Sequence, residues 1–303
     1  MRIKIAILYK KSYVLHDILK WSLRGGMGML NEIRTISLDL DLNIEAYQFK
    51  GIMQKFPSHF HEYYVIGFIE EGQRSLVCKG EQYIINPGDL LIFNPYDPHS
   101  CEQIDGKTLD YRCINVTSEI MKKIILEING NECLPYFNQN VLVQSEFVDS
   151  LRELHLNISQ GESALKKEEL FLCLLEELIQ KHSNLVPLSP TSEMTFEIKA
   201  VCTYLEENYL HTVTLNDLSA FSGWSKYHLL RTFTKRMGLS PNSYLETIRV
   251  NHAKKLLEQG IRPIEVAFST GFSDQSHLTK CFKRQVGLTP KQYTRIFMNE
   301  EGS

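Results

Sequence analysis

At 303 residues the chain is longer than one hydrophobic core ordinarily fills, so two domains are expected, and its net charge of −3 is unevenly spread. Residues 1–194 hold 19 Lys and Arg against 26 Asp and Glu, whereas residues 195–303 hold 14 against 10, so the basic share sits in the C-terminal third, where an acidic partner would bind. No uncharged apolar run reaches the roughly 20 residues that cross a bilayer. The seven Cys are scattered without a C-x-x-C pair, which excludes a disulfide frame or zinc finger and fits reduced thiols in the cytoplasm.

Residues 1–28 mix Arg2, Lys4, Lys10, Lys11, Asp17 and Lys20 with apolar residues, too interrupted for a secretory signal. Two readings stand. One is a short amphipathic extension starting at Met1. The other starts from Arg24-Gly25-Gly26, which can be encoded by a purine run resembling a bacterial ribosome-binding site. Translation would then begin at Met29 or Met27.

Residues 45–116 read as all-β. Residues 63–69, 74–78, 82–85, 90–93 and 109–114 are short apolar or alternating runs. Between them lie Glu71-Gly72, Lys79-Gly80, Asn86-Pro87-Gly88-Asp89 and Asn94-Pro95-Tyr96-Asp97-Pro98. Short strands with regular Gly and Pro turns predict a sandwich or barrel. Ser58-His59-Phe60-His61-Glu62-Tyr63 resembles the first motif of a cupin barrel, and Pro87-Gly88-Asp89 followed by Pro95, Pro98 and His99 resembles the second. A small barrel offers an apolar cavity with a few polar groups at one end, suited to one small ligand. The candidate lining is His59, His61, Tyr63, Phe93, Tyr96 and His99, with Tyr64 and Phe68 as further walls.

His59 and His61 are two apart and so share one face of a strand, where His99 can join them. Three imidazoles are a start for binding Zn, Ni or Fe. Metal-binding cupins carry a Glu shortly after the His-x-His. Here Val65 and Ile66 stand in that place, and Glu70 and Glu71 fall by the turn. The favoured expectation is a pocket without metal or cofactor. The alternative is a divalent ion on His59, His61 and His99 in a cupin enzyme fused to a DNA-binding domain.

Further along, Phe147, Leu151, Leu154, His155 and Ile158 fall at helical spacing. After Gly161 a Ser163 cap leads into Leu170, Leu174, Leu175, Leu178 and Ile179, completing a helical hairpin with an apolar stripe. Residues 183–194, with Pro187, Pro190 and several small polar residues, read as a linker. Residues 196–209 read as a supporting helix.

The last third says the same thing twice. Phe233, Gly238, Leu239, Pro241 and Tyr244 recur at identical spacing as Phe282, Gly287, Leu288, Pro290 and Tyr293. Each copy reads as a short helix, a Gly turn and an amphipathic helix. Thr214 and Asp217 form a capping box for the first short helix, which carries Leu215, Leu218 and Phe221 and stops at Gly223. Ser225 caps its partner. In the second copy Ile264, Val266, Ala267 and Phe268 lead to Gly271, and Ser273 caps the next helix. Ser240 and Pro241 start a long joining helix that ends at Gln259-Gly260. This is helix-turn-helix logic.

Residues 266–293, with Gly271-Phe272-Ser273 and Gly287-Leu288-Thr289-Pro290, closely resemble the signature of AraC-type transcription regulators. The resemblance implies a seven-helix domain in which two recognition helices enter successive major grooves of double-stranded DNA, roughly 34 Å apart. Carried over position by position, it assigns DNA contacts to Lys226, Tyr227, Leu230 and Arg231 in the first unit and to Gln275, Ser276, His277 and Lys280 in the second. It also implies a homodimer, with Leu151, Leu154 and Ile158 as its surface, and RNA polymerase as a further partner. The expected fold class is α+β: a cupin-like β-barrel with a helical hairpin over residues 29–182, a linker at 183–194, and an all-α double helix-turn-helix domain over 195–303. The expected function is a non-enzymatic regulator modulated by a small-molecule effector, or one whose barrel senses nothing.

Overall fold

The structure is a computed structural model that describes residues 32–129, 133–187 and 196–298. The question of where translation starts lies outside them. The N-terminal part contains strands β1 (Ile33–Asp39), β2 (Ile44–Ile52), β3 (Phe56–His59), β4 (Tyr64–Glu71), β5 (Arg74–Cys78), β6 (Glu81–Ile85), β7 (Leu90–Phe93), β8 (His99–Gln103) and β9 (Leu109–Val116). Then come helix α1 (Ser118–Asn129), β10 (Cys133–Phe137), β11 (Val141–Leu142), α2 (Phe147–Gln160), α3 (Ala164–His182) and β12 (Ser183–Pro187). The strands form a six-stranded antiparallel sheet, β1-β2-β9-β4-β7-β11, and a four-stranded one, β3-β8-β5-β6. The two sheets face each other as a cupin-like jelly roll.

The alternation of β4 shows how the sequence divides the core. Tyr64, Ile66 and Phe68 point to the outer face of the large sheet, where α2 and α3 cover them. Val65 and Ile69 point inward, toward Leu76, Cys78 and Ile85 of the small sheet. Each large apolar side chain buried this way is worth about 1.5–3 kcal/mol.

The C-terminal part is α4 (Phe196–Glu207), α5 (Leu215–Ser222), α6 (Lys226–Met237), α7 (Pro241–Glu258), α8 (Pro263–Ser269), α9 (Gln275–Val286) and α10 (Pro290–Phe297). These are the seven helices expected, among the described residues. The repeat has a visible cause. Phe233 meets Tyr244 edge-on at 5.6 Å, and Phe282 meets Tyr293 at 5.3 Å, so each recognition helix is pinned to the helix after it by the same ring pair. The Thr214–Asp217 capping box forms, and Ser225 and Ser240 each cap through their hydroxyls.

Several expectations are corrected. Leu151, Leu154 and Ile158 are at most 2% exposed and pack into the core beneath α2, so they are not available as a dimer surface. The start of the expected linker is ordered: β12 pairs with β10. Asp274, not Ser273, caps α9, since its carboxylate accepts the His277 N–H at 2.8 Å. On the short helices α5 and α8, Leu215, Phe221, Ile264 and Phe268 are exposed, while Leu218, Val266 and Ala267 are buried. Helix α1 places Met121, Ile124 and Ile125 in the core at helical spacing, an element beyond those expected above, as is β8.

Candidate nucleic-acid interface and ligand cavity

The two recognition helices present the side chains that the repeat placed on them. On α6, Lys226, Tyr227, Leu230 and Arg231 are exposed. On α9, Gln275, Ser276 and Lys280 are exposed and His277 is half-buried. His277 is held: its Nδ1 lies 3.2 Å from Ser273 Oγ and its Nε2 lies 4.0 Å from the Glu246 carboxylate on α7. Glu246 also takes the Arg284 guanidinium. A concave patch on α6 brings Arg231, Lys235 and Arg236 together with His228 and Thr232. Arg249, on α7, is not a DNA contact. Its guanidinium donates to the carbonyls of Tyr209 and His211 at 2.8 Å each, tying α7 to the loop after α4.

Between the two sheets lies a cavity of about 110 Å³. His59, His61, Tyr63, Phe93 and His99 line it, as expected. Tyr64 and Phe68 do not, because they face the opposite side of β4. Tyr96 does not either. It occupies a left-handed turn position (φ 67°) outside the cavity and packs on Phe60.

The three imidazoles are close. His59 and His99 ring centres are 4.5 Å apart, and His61 lies 4.9 and 5.1 Å from them. His59 Nδ1–H donates to the Pro57 carbonyl at 2.7 Å and His99 Nδ1–H to that of Asp97 at 2.9 Å, so the Nε2 atoms carry the lone pairs. Burial pushes His59 down to about 4 and His99 down to about 3, and holds His61 well below its usual value. At neutral pH all three are uncharged. Their ligand nitrogens lie within 4.8 Å of one another, so the trio fits the donor set of a borderline divalent ion such as zinc. The cavity lining contributes no carboxylate, however, so such an ion's charge would have to be met by a bound anion.

Part of the cavity wall was not foreseen. Gln285 and Val286, from the inner face of α9, close one side of it. Beside the cavity, Lys254 of α7 reaches across to the sensing domain. Its ammonium lies 3.2 Å from Glu45 and donates to the Tyr63 hydroxyl at 3.1 Å, while Tyr293 of α10 donates to Glu45 at 2.6 Å. Burial pulls Lys254 down, but Glu45 and Tyr63 outweigh it and the ammonium is held above its usual value. Burial likewise raises Glu45, and Lys254 and Tyr293 more than offset it, leaving the carboxylate below its usual range. Nothing in a single sequence pairs residue 45 with residue 254.

A ligand-sized cavity joined to two helix-turn-helix units on a rigid spacer defines a ligand-sensing, DNA-binding regulator. Residues 41–175 match the model of the AraC-like ligand binding domain, and residues 218–296 match that of a helix-turn-helix domain. The chain belongs to the AraC-type family of transcriptional regulators, with an N-terminal sensing domain.

It is 66% identical over 272 residues to the uncharacterized HTH-type transcriptional regulator YbfI of Bacillus subtilis (strain 168), an alignment that covers 90% of this chain and 99% of that one. It is 28% identical over 242 residues to the HTH-type regulator SACOL0084 of Staphylococcus aureus (strain COL), covering 76% of this chain but 31% of that longer protein. Among solved structures, an apo ToxT variant from Vibrio cholerae aligns over 84% of this chain and 97% of that one, with a TM-score of 0.51 at 14% identity, a likeness of fold alone.

Proposed function

We propose that this regulator reads DNA through α6 and α9 and is modulated by a small, mostly apolar effector in the cavity between the sheets. One observation carries the reading: α9 offers Gln275, Ser276 and Lys280 on its outer face and closes the cavity with Gln285 and Val286 on its inner face. A guest that shifts the inner face moves the outer face with it, because a three-turn helix moves as a unit. That is a coupling free energy between two sites. The Lys254–Glu45 contact is a second route, since Tyr63 both lines the cavity and holds Lys254.

In this reading Arg231 contacts a base or phosphate from α6, and Gln275 reads a base edge while His277 and Lys280 touch the backbone. The histidine trio serves as the polar end of a metal-free binding pocket, not as a catalytic centre. The protein works in the cytoplasm as a homodimer and acts on RNA polymerase at a promoter. Self-association falls to the outward faces of α2 and α3, where Leu156, Leu165 and Leu172 are exposed.

The test is binding of the full chain to the DNA upstream of its own gene, with Arg231→Ala alongside. Loss of one bidentate or phosphate contact is expected to weaken binding by roughly 10-fold or more, with the circular dichroism unchanged. Equal affinity for the two proteins would remove α6 as the specificity element, and no binding by the wild type would remove the DNA-reading assignment for this site.

A further inference from the structure

We infer that the carboxamide of Gln285 is an effector contact supplied by the DNA-reading helix itself, and that the molecule it takes is an uncharged, ring-sized compound carrying a hydroxyl-type hydrogen-bonding group. The inference rests on the cavity reading above and adds to it a named residue and a ligand chemistry.

Gln285 is only 7% exposed and stands in the cavity wall between Val286 and the packed side of α9. Several other polar groups in that wall have their hydrogens engaged, though the Nε2 lone pairs of His59 and His99 stay open as acceptors. His59 and His99 donate to backbone carbonyls, the Tyr63 hydroxyl accepts from Lys254, and Asn115 donates to Glu45. The Gln285 side chain has no hydrogen-bond partner among the described residues. Its amide atoms are not sealed away, so they are open to a partner from outside the chain, and Leu or Met would present only apolar surface at the same place. A glutamine there makes physical sense when its partner arrives from outside the chain.

The chemistry of the guest follows from the rest of the wall. The lining holds no Asp, Glu, Lys or Arg, and its imidazoles are neutral, so an ionic guest would be desolvated without compensation. The volume, about 110 Å³, is of the order of the engineered apolar cavities that accept benzene. A carboxamide offers both donors and an acceptor, which suits a hydroxyl. The consequence for signalling is direct: the guest would hold α9 from inside while its outer face meets DNA.

The experiment compares the full-length wild type with Gln285→Leu, with Gln285→Met as a companion should Leu not fold. Each is melted alone, with phenol and with toluene, two rings of similar size that differ in the hydroxyl. The ligand-free variant is expected to melt within about 2 °C of wild type, since the amide makes no hydrogen bond within the chain. Phenol is expected to raise the wild-type Tm more than toluene does, and the substitution is expected to abolish that preference. A variant that keeps the preference for phenol overturns the inference while leaving the cavity reading intact. If neither compound shifts the wild type, the cavity does not admit a ring-sized guest, and both readings fail together. DNA binding by α6 and α9 is measured separately and is untouched by that result.

Discussion

Removing the Lys254 ammonium, as in Lys254→Met, tests the contact between the sensing domain and α7. The side chain of Lys254 is 7% exposed and that of Glu45 is 13% exposed, so solvent does little to screen the pair. Deleting one partner of a buried ion pair leaves the other charge uncompensated and costs about 3–5 kcal/mol. Met keeps most of the volume, so the loss is electrostatic and not a cavity. Glu45→Gln removes the opposite charge, and its single carboxamide oxygen keeps an acceptor for one of Tyr293 and Asn115, which use different oxygens of the carboxylate. The double variant strands neither member of the pair, so its destabilisation is expected to fall short of the sum of the singles by about 1–3 kcal/mol.

Urea melts of the four proteins give the cycle. The pH dependence gives a second check. Glu45 is held below its ordinary value of 4.5, so its contribution is present above that pH and is lost as pH falls through the depressed value. Lys254 is held above its ordinary value of 10.5, so its contribution is present below that pH and is lost as pH rises through the elevated value. The cycle should therefore return the same coupling at pH 6 and pH 9. Strictly additive singles would refute the assignment of a buried interdomain pair.

Two further outcomes follow from placements already described. Leu151→Ala is expected to destabilise the protein by about 2–5 kcal/mol in urea melts, as a core truncation does, while sedimentation shows the same oligomeric state as wild type; the reverse pattern would return α2's inner stripe to the subunit interface. Equilibrium dialysis against micromolar zinc is expected to leave well under one ion per chain, with His99→Phe no different, whereas one equivalent that disappears in that variant would make the trio a metal site.

The repeat and its caps were legible because their causes are local. A capping box, a left-handed Gly and a Pro in the first turn act within a few residues, and strands such as β5 and β7 announce themselves by short apolar runs between Gly and Pro turns. The histidine trio was legible from the two-residue spacing of His59 and His61, although β3 ends at His59 and His61 reaches the cavity from the loop that follows. Tyr96 misled because it lies in the turn between β7 and β8, in left-handed geometry that turns it away from the cavity and onto Phe60. Leu151, Leu154 and Ile158 misled in another way: an apolar stripe says that a face is covered, not by what. Gln285 was invisible. It follows Phe282 and Lys283 on a helix whose Gln275, Ser276, Lys280 and Lys283 face solvent, and only the docking of α9 on the sheets turns it inward.

That docking also gives the repeated glycines a second task. Gly238 and Gly287 end α6 and α9 in left-handed geometry, with φ of 68° and 88°, which a residue with a Cβ adopts only with strain. Each is also where the sensing domain arrives. The Gly238 carbonyl accepts from Ser58 Oγ at 2.9 Å, and the Gly287 carbonyl accepts from Arg34 Nη1 at 2.5 Å. A Cβ on Gly238 would stand 2.9 Å from Pro98 Cγ, and one on Gly287 would stand 2.9 Å from the Phe49 ring and from Arg34. The sensor thus grips the two units at equivalent points of the repeat, by the freed carbonyl at the end of each recognition helix. Phe49 and Pro98 belong to segments that frame the cavity: Phe49 lines it, and Pro98 immediately precedes His99. In the proposed reading, these contacts at the C-terminal ends of both helices are where a change in the cavity would act, with the long α7 between the two units.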